Sequence, residues 1–190
     1  MKSDNMRFYS AMLMAGCGLH AAAQTQRPNI VFIITDDHSF QTISAYGSEV
    51  SKLAPTPNID RLANEGARFD DAFVENSLST PARACLLTGL YSHQNGQRTL
   101  GKGIDSTKTF VSELLQDAGY QTGVVGKWHM QCRPKGFDFF RIFEGQGDYY
   151  NPLVLSHDSN GKYEREQGYA TDIVTEHAVE FLNQRDEQKP

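Results

Sequence analysis

The sequence predicts an α/β fold in which a mainly parallel sheet is flanked by helices. A continuous run of β-branched apolar residues at 29–35 is typical of a strand that is buried on both faces. Helix signals then alternate with further strand-like runs along the chain, which is the pattern of βαβ units. The 190 residues are enough for one sizeable hydrophobic core.

Four segments carry the signals of helices. Thr56 as N-cap and Pro57 at the first helical position predict a helix that ends at Gly66. Pro81 predicts the start of a second short helix that ends near Thr88 and Gly89. Apolar residues at helical spacing predict two further helices, over 110–118 and 169–183.

Three runs predict strands, and polar residues follow or lie near them. The runs are 29–35, a segment within 67–74, and 120–125. In a parallel sheet, ligands bind beyond the carboxyl ends of the strands. The polar clusters at those places, or just after a turn into a helix, are therefore the candidate functional residues.

The first 23 residues are expected to be a secretory signal. Two basic residues precede an apolar stretch over 8–19, and alanines at 21–23 offer an A-x-A cleavage site. The stretch is too short to span a bilayer. The residues before Cys17 also resemble a bacterial lipobox, so a lipid on Cys17 is the alternative. We expect residues 24–190 to be the folded part of a periplasmic or secreted protein, with membrane attachment only if Cys17 is lipidated.

The composition excludes some classes of partner. The net charge is −5, from 18 basic and 23 acidic residues, and no basic cluster is present, which argues against nucleic-acid binding. An anionic substrate stays compatible, because a local site can differ in charge from the whole surface.

Cys85 and Cys132 are too few for a disulfide framework and lack metal-site spacing, so we interpret them as ordinary thiols, although one bridge between them stays possible.

Asp36 and Asp37 directly follow the first predicted strand. Adjacent carboxylates repel each other unless a cation or a hydrogen-bond donor neutralises them. Oxygen ligands suit Ca²⁺ or Mg²⁺, so the pair is a candidate cation site. A turn or helix cap beside a solvated neighbour explains the pair equally well.

Two further pairs carry polar chemistry. Ser79 would lie at or just before the N-cap of the second predicted helix, where backbone N–H groups favour an anion, and Arg83 lies one turn further on. Lys127 and His129 follow the strand at 120–125 two residues apart, so both side chains point to the same side. An ordinary serine cap and an ordinary strand end are the alternatives. Taken together with the aspartates, these groups are what hydrolysis of an anionic ester requires.

Four ordered motifs resemble those of the sulfatase family. The segment 79–83, Ser-Thr-Pro-Ala-Arg, is similar to the family signature, in which Cys or Ser leads x-Pro-Ser/Ala-Arg and a Thr-Gly pair follows. Three other segments match in the family's order: 29–37, 55–63 and 126–129. The resemblance covers about residues 28–183. It implies an alkaline-phosphatase-like sandwich, of which residues 24–190 would be the N-terminal portion of a longer catalytic domain.

The resemblance also implies a modified residue and a metal ion. Ser79 would be oxidised to formylglycine by a radical-SAM sulfatase-maturating enzyme, and the hydrated aldehyde would attack the sulfur of a sulfate ester. Asp36 and Asp37, together with the oxygen on residue 79, would bind one Ca²⁺. Two departures from the commoner pattern are serine in place of cysteine at residue 79 and Ala82 in place of serine.

Roles for three more residues follow from the same resemblance. Arg83 would hold the modified residue, Lys127 would bind a sulfate oxygen, and His129 would assist proton movement. The family's remaining metal ligands and its second lysine and histidine come later in the chain, so residues 24–190 alone are expected to be inactive.

The predicted reaction is removal of sulfate from a sulfated carbohydrate. The segment 145–152 is similar to N-acetylglucosamine-6-sulfatase-like glycan sulfatases, although Tyr149 and Tyr150 within it are equally compatible with core packing. Two alternatives stay open. One is an alkaline-phosphatase-type phosphohydrolase that uses unmodified Ser79, and the other is a non-catalytic fragment that binds glycans or anions.

Overall fold

The computed structural model describes residues 27–190. Residues 32–189 form one compact unit, and the described residues outside it are 27–31 and Pro190. The predicted signal sequence at 1–23, with Cys17 inside it, lies outside the described residues.

Residues 27–190 contain five α-helices, of which four follow the local sequence signals and the short third helix was not predicted. They are α1 (Pro57–Glu65), α2 (Ser79–Thr88), α3 (Ser92–Asn95), α4 (Val111–Asp117) and α5 (Ala170–Gln184). The predicted start of α2 at Pro81 is wrong by two residues, because α2 begins at Ser79 with Leu78 as its N-cap. The first-turn N–H groups of a helix have no partner within it, so a proline fits anywhere in that turn. Among the described helices, none is long and apolar enough to cross a membrane.

Four strands form one sheet in the order β1-β2-β3-β4. They are β1 (Gly123–Lys127), β2 (Phe139–Phe143), β3 (Leu153–Ser156) and β4 (Tyr163–Arg165). The sheet is mixed, since β1 pairs with β2 in parallel whereas the β2–β3 and β3–β4 pairings are antiparallel. The predicted α/β class is confirmed, but the prediction of a mainly parallel sheet is wrong for residues 27–190, because only one of the three strand pairings is parallel. The sequence did not predict β2, β3 or β4, and it placed β1 too early.

The core lies between this sheet and the helices. Its largest cluster contains Phe110, Trp128, Met130, Phe140 and Ile142, all buried. Helix α5 packs closely on β1, because the two glycines of β1 leave space for α5 side chains. A Cβ atom added at Gly123 would lie 3.0 Å from the ring of Phe181. The end of β1, which carries Lys127, is therefore held against a packed layer.

Two predicted strands are absent from residues 27–190. The runs at 29–35 and 67–74 contain no strand, and the apolar side chains at 30–34 are 47–75% exposed. An apolar run becomes a strand only when a neighbouring strand pairs with its backbone N–H and C=O groups. The apolar composition of 29–35 therefore did not suffice to form the predicted strand in this part of the chain.

Candidate functional site

Three segments bring the candidate site together. Asp36 follows the unpaired apolar run, Arg83 lies one turn into α2, and Lys127 ends β1. Lys127 Nζ donates to Asp36 Oδ2 at 2.5 Å, although the two residues are 91 positions apart. Arg83 Nη2 lies 3.8 Å from Asp36 Oδ1. One carboxylate therefore lies between two cationic groups.

The Arg83 side chain connects α2 to β1. Its Nη1 donates to the backbone carbonyl of Lys127 at 2.8 Å. The side chain is largely buried, and this burial lowers the pKa of Arg83, while the charge of Asp36 acts in the opposite direction. Arg83 therefore positions both the backbone and the counter-ion of Lys127.

The Asp36 carboxyl is stabilised as a carboxylate. The hydrogen bond from Lys127 is the main reason that the pKa of Asp36 lies below its ordinary value, and the charges of Lys127, Arg83 and His129 add to it. Partial desolvation acts in the opposite direction. Asp36 is consequently ionised at neutral pH.

His129 lies beside the second residue of α2. The Thr80 side chain is fully buried, and its Oγ1 is 3.4 Å from His129 Nδ1 and 3.3 Å from the His129 carbonyl oxygen. His129 has a left-handed backbone with φ of 50°. Burial, followed by the charges of Lys127 and Arg83, lowers the pKa of His129 below its ordinary 6.5. The imidazole is therefore neutral at pH 7.

Thr80 is the member of this cluster that the sequence analysis did not single out. The available signal was its place inside the segment 79–83, directly after the predicted nucleophile. A threonine at that position also reads as an ordinary first-turn residue, so only the contact with His129 identifies it.

Ser79 and Asp37 stand apart from these contacts. Ser79 Oγ is buried without a hydrogen-bond partner in the described chain. Asp37 is exposed and has a left-handed backbone with φ of 56°. No hydrogen bond or ion pair within residues 27–190 joins either side chain to Asp36, Arg83, Lys127 or His129. The roles of Ser79 and Asp37 therefore stay predictions.

The donor set partly fits a calcium ion. The carboxylates of Asp36 and Asp37 are the hard oxygen ligands that Ca²⁺ prefers, but this ion takes about 6–8 oxygens. Residues 27–190 contain no group of three or more His, Cys, Asp or Glu side chains that could hold a metal. The two aspartates therefore supply oxygen ligands of the right kind, but fewer of them than Ca²⁺ needs.

A comparison with protein families identifies the chain. The family model named Sulfatase matches residues 28–190. The chain belongs to the sulfatase family. An N-acetylglucosamine-6-O-sulfatase of Bacteroides thetaiotaomicron is 46% identical to it over 184 residues, which cover 95% of this chain and 32% of that relative. This sulfatase chain thus spans about a third of the length of that relative.

Solved structures confirm the sulfatase fold. A protein in complex with its substrate D-glucosamine-2-N,6-O-disulfate matches with a TM-score of 0.81 and 48% identity, over 87% of this chain and 33% of the other. A second, Ps i-CgsB in complex with k-i-k-neocarrahexaose, matches with a TM-score of 0.73 and 32% identity, over 83% of this chain and 42% of the other. The predicted alkaline-phosphatase-like α/β fold is therefore confirmed.

Proposed function

We propose that the whole protein is a sulfuric ester hydrolase that removes sulfate from a sulfated carbohydrate. The observation that carries this proposal is the convergence of Arg83, Lys127 and neutral His129 beside the start of α2, where Ser79 stands. Two cations and a helix N-terminus suit a sulfate group, whose charge they offset in a partly desolvated site. Membership of the sulfatase family supports the same reaction.

The substrate that we propose is a glycan with 6-sulfated N-acetylglucosamine. The N-acetylglucosamine-6-O-sulfatase with 46% identity supports it. The solved relative that binds D-glucosamine-2-N,6-O-disulfate adds a second glucosamine sulfate. Both names contain a glucosamine with a 6-O-sulfate, which is N-acetylated in the first and N-sulfated in the second.

Residue 79 is proposed to supply the nucleophile after modification. Ser79 stands at the first position of α2, and its buried Oγ has no partner in the described residues, so a modified side chain there would not break a hydrogen bond. We propose that a radical-SAM maturase oxidises Ser79 to formylglycine. The hydrated aldehyde supplies the hydroxyl oxygen that attacks sulfur, the S–O bond to the sugar breaks, and the sugar leaves as an alcohol. The second hydroxyl then loses its proton and expels sulfate, which restores the aldehyde.

The residues around this position have separate tasks. Lys127, released from Asp36 or shared with it, holds a sulfate oxygen and offsets its charge. Arg83 keeps Lys127 in place through the 2.8 Å bond to its carbonyl and adds positive charge. His129 Nδ1 faces Thr80 Oγ1, which leaves Nε2 as the ring nitrogen that we propose for proton transfer.

The metal and the cellular location belong to the same proposal. Asp36, Asp37 and the oxygen on residue 79 would hold one Ca²⁺, which supplies positive charge beside the sulfate group when bound. The signal-like residues 1–23 support a periplasmic or secreted protein, with lipid attachment at Cys17 as the alternative.

Mass spectrometry and a matched pair of esters test this function. Protein from the native host is digested with trypsin, and the fragment 69–83 is expected to be lighter by two hydrogens at Ser79. Release of sulfate from N-acetylglucosamine 6-sulfate is then compared with release of phosphate from N-acetylglucosamine 6-phosphate. An unmodified serine together with faster phosphate release would indicate a phosphohydrolase, and release of neither anion would indicate a non-catalytic protein.

A further inference from the structure

An exposed aromatic surface follows β2. The rings of Tyr149 and Tyr150 are 81% and 68% exposed, so they do not pack in the core of residues 27–190. Tyr169 is 41% exposed, and its ring centroid lies 5.2 Å from that of Tyr150 with 46° between the planes. We name these three residues the tyrosine surface.

Backbone hydrogen bonds hold the tyrosine surface in place. The amide of Asn151 donates to the Gly168 carbonyl at 2.8 Å, and the amide of Ala170 donates to the Tyr149 carbonyl at 2.8 Å. Gly168 in turn donates to Asn151 Oδ1 at 2.9 Å, and Tyr150 forms a β-bridge with Tyr169. A surface whose backbone is already ordered loses less conformational freedom when a ligand binds.

The tyrosine surface follows the end of β2, which lies at the same end of the sheet as Lys127. β1 and β2 are parallel, and Lys127 is the register partner of Phe143, where β2 ends. Tyr149 follows six residues later, and the chain between folds back, since a Cβ atom added at Gly147 would lie 2.8 Å from the Phe143 ring. Six residues reach at most about 20 Å, so Tyr149 lies within about that distance of Phe143 at the end of β2. A glycan of several sugar rings is long enough to reach from this end of the sheet to the tyrosine surface.

Polar groups beside the rings distinguish this surface from a protein interface. Arg165 is half-exposed, donates to the Asn151 carbonyl at 2.6 Å and lies 3.9 Å from Asp148. By contrast, the exposed run at 30–34 is purely apolar and suits burial against protein. Flat rings beside hydrogen-bonding groups match a sugar ring, which has apolar C–H faces and a polar rim. The Arg165 guanidinium suits a sulfate or carboxylate on that sugar.

We propose that the tyrosine surface binds a sugar ring of the glycan other than the one that carries the reacting sulfate ester. This proposal rests on the proposed function, because it assigns the surface to the same substrate. It makes the protein prefer an oligosaccharide over a sulfated monosaccharide, with the preference expressed in binding.

Direct binding tests the proposal without turnover. The whole protein with Ser79→Ala receives the double substitution Tyr149→Ala and Tyr150→Ala, and calorimetry measures its Kd for two probes. The probes are N-acetylglucosamine 6-sulfate and a tetrasaccharide that ends in the same sugar. We expect the Kd of the tetrasaccharide to rise about tenfold, as for loss of one to two aromatic contacts, and the Kd of the monosaccharide to stay constant.

Two control variants separate stacking from a general defect. Tyr149→Phe with Tyr150→Phe keeps both rings and should retain tight tetrasaccharide binding. Tyr91→Ala removes another half-exposed tyrosine, which lies beyond the far end of the ten-residue α2 from Ser79, about 15 Å along the helix. It should change neither Kd.

The outcomes separate this proposal from the proposed function. An unchanged tetrasaccharide Kd in the double alanine variant, equal weakening for both probes, or no tetrasaccharide binding in the Ser79→Ala parent overturns the sugar site. Failure of the proposed function appears instead in the protein with Ser79 intact, as absence of sulfate release from either probe.

Discussion

Replacement of Lys127 by methionine tests the central charge contact of the candidate site. Methionine keeps an unbranched side chain and removes the ammonium that lies 2.5 Å from Asp36 Oδ2. A hydrogen bond between charged groups contributes about 1.5–3 kcal/mol to stability. The Asp36 side chain is 51% exposed, so solvent screening reduces this contribution to about 1 kcal/mol.

The expected loss of activity is much larger than the loss of stability. A positive group that contacts charge developing in the transition state contributes about 3–4 kcal/mol, which is a factor of about 10²–10³ in kcat. Release of sulfate from N-acetylglucosamine 6-sulfate, measured by ion chromatography, should fall by that factor in the whole protein. The Tm should fall by no more than about 2–4 °C, because 1 kcal/mol produces a shift of that size in a domain of about 150–250 residues and a smaller one in a larger domain.

Lys52 offers a matched control for this experiment. Its Nζ lies 2.6 Å from Glu49 Oε1, and both side chains are well exposed. Lys52→Met should leave kcat and Tm near their wild-type values, since exposed pairs contribute about 0–1 kcal/mol. Sulfate release by Lys127→Met within about threefold of wild type would refute the reasoning. A large fall in Tm with a parallel loss of folded protein would refute it as well, because Lys127 would then be structural.

Four further predictions concern other parts of the chain. Ser79→Ala should abolish sulfate release while Tm is retained, because Ser79 Oγ forms no hydrogen bond in the described residues; unchanged turnover would exclude it as the nucleophile. Asp37→Asn should weaken Ca²⁺ binding measured by calorimetry, and a wild-type isotherm would exclude Asp37 as a ligand. Gly136→Ala should lower the free energy of unfolding more than Gly145→Ala. Both positions have a positive φ, which costs an alanine about 1–2 kcal/mol. Only at Gly136 would the added Cβ also lie 2.5 Å from a backbone nitrogen, that of Glu113. Equal losses would contradict the proposed steric clash. Turnover should need a neutral His129, whose pKa lies below the ordinary 6.5 of histidine. Sulfate release should therefore stay constant as the pH falls to 6.5 and decline only at lower pH. A decline that begins above pH 7 would contradict this role.

Local signals predicted the helices better than the strands. The caps and apolar spacing of a helix lie within a few residues of one another, so α1, α4 and α5 form close to where the sequence placed them. A strand depends on a partner elsewhere in the chain. The apolar run at 29–35 therefore led to a wrong strand prediction, whereas the short strands β2, β3 and β4 were not predicted.

The sequence by itself determined the family, the α/β class and the candidate residues Asp36, Arg83, Lys127 and His129, since each depends on short ordered motifs. Only the tertiary structure decided which atoms meet. The 2.5 Å contact between Lys127 and Asp36 and the position of Thr80 beside His129 join residues 91 and 49 positions apart. The exposure of the tyrosines at 149–150 was likewise open until the chain was folded. The physical reason is that motifs are properties of neighbouring residues, whereas contacts and burial depend on how distant segments pack.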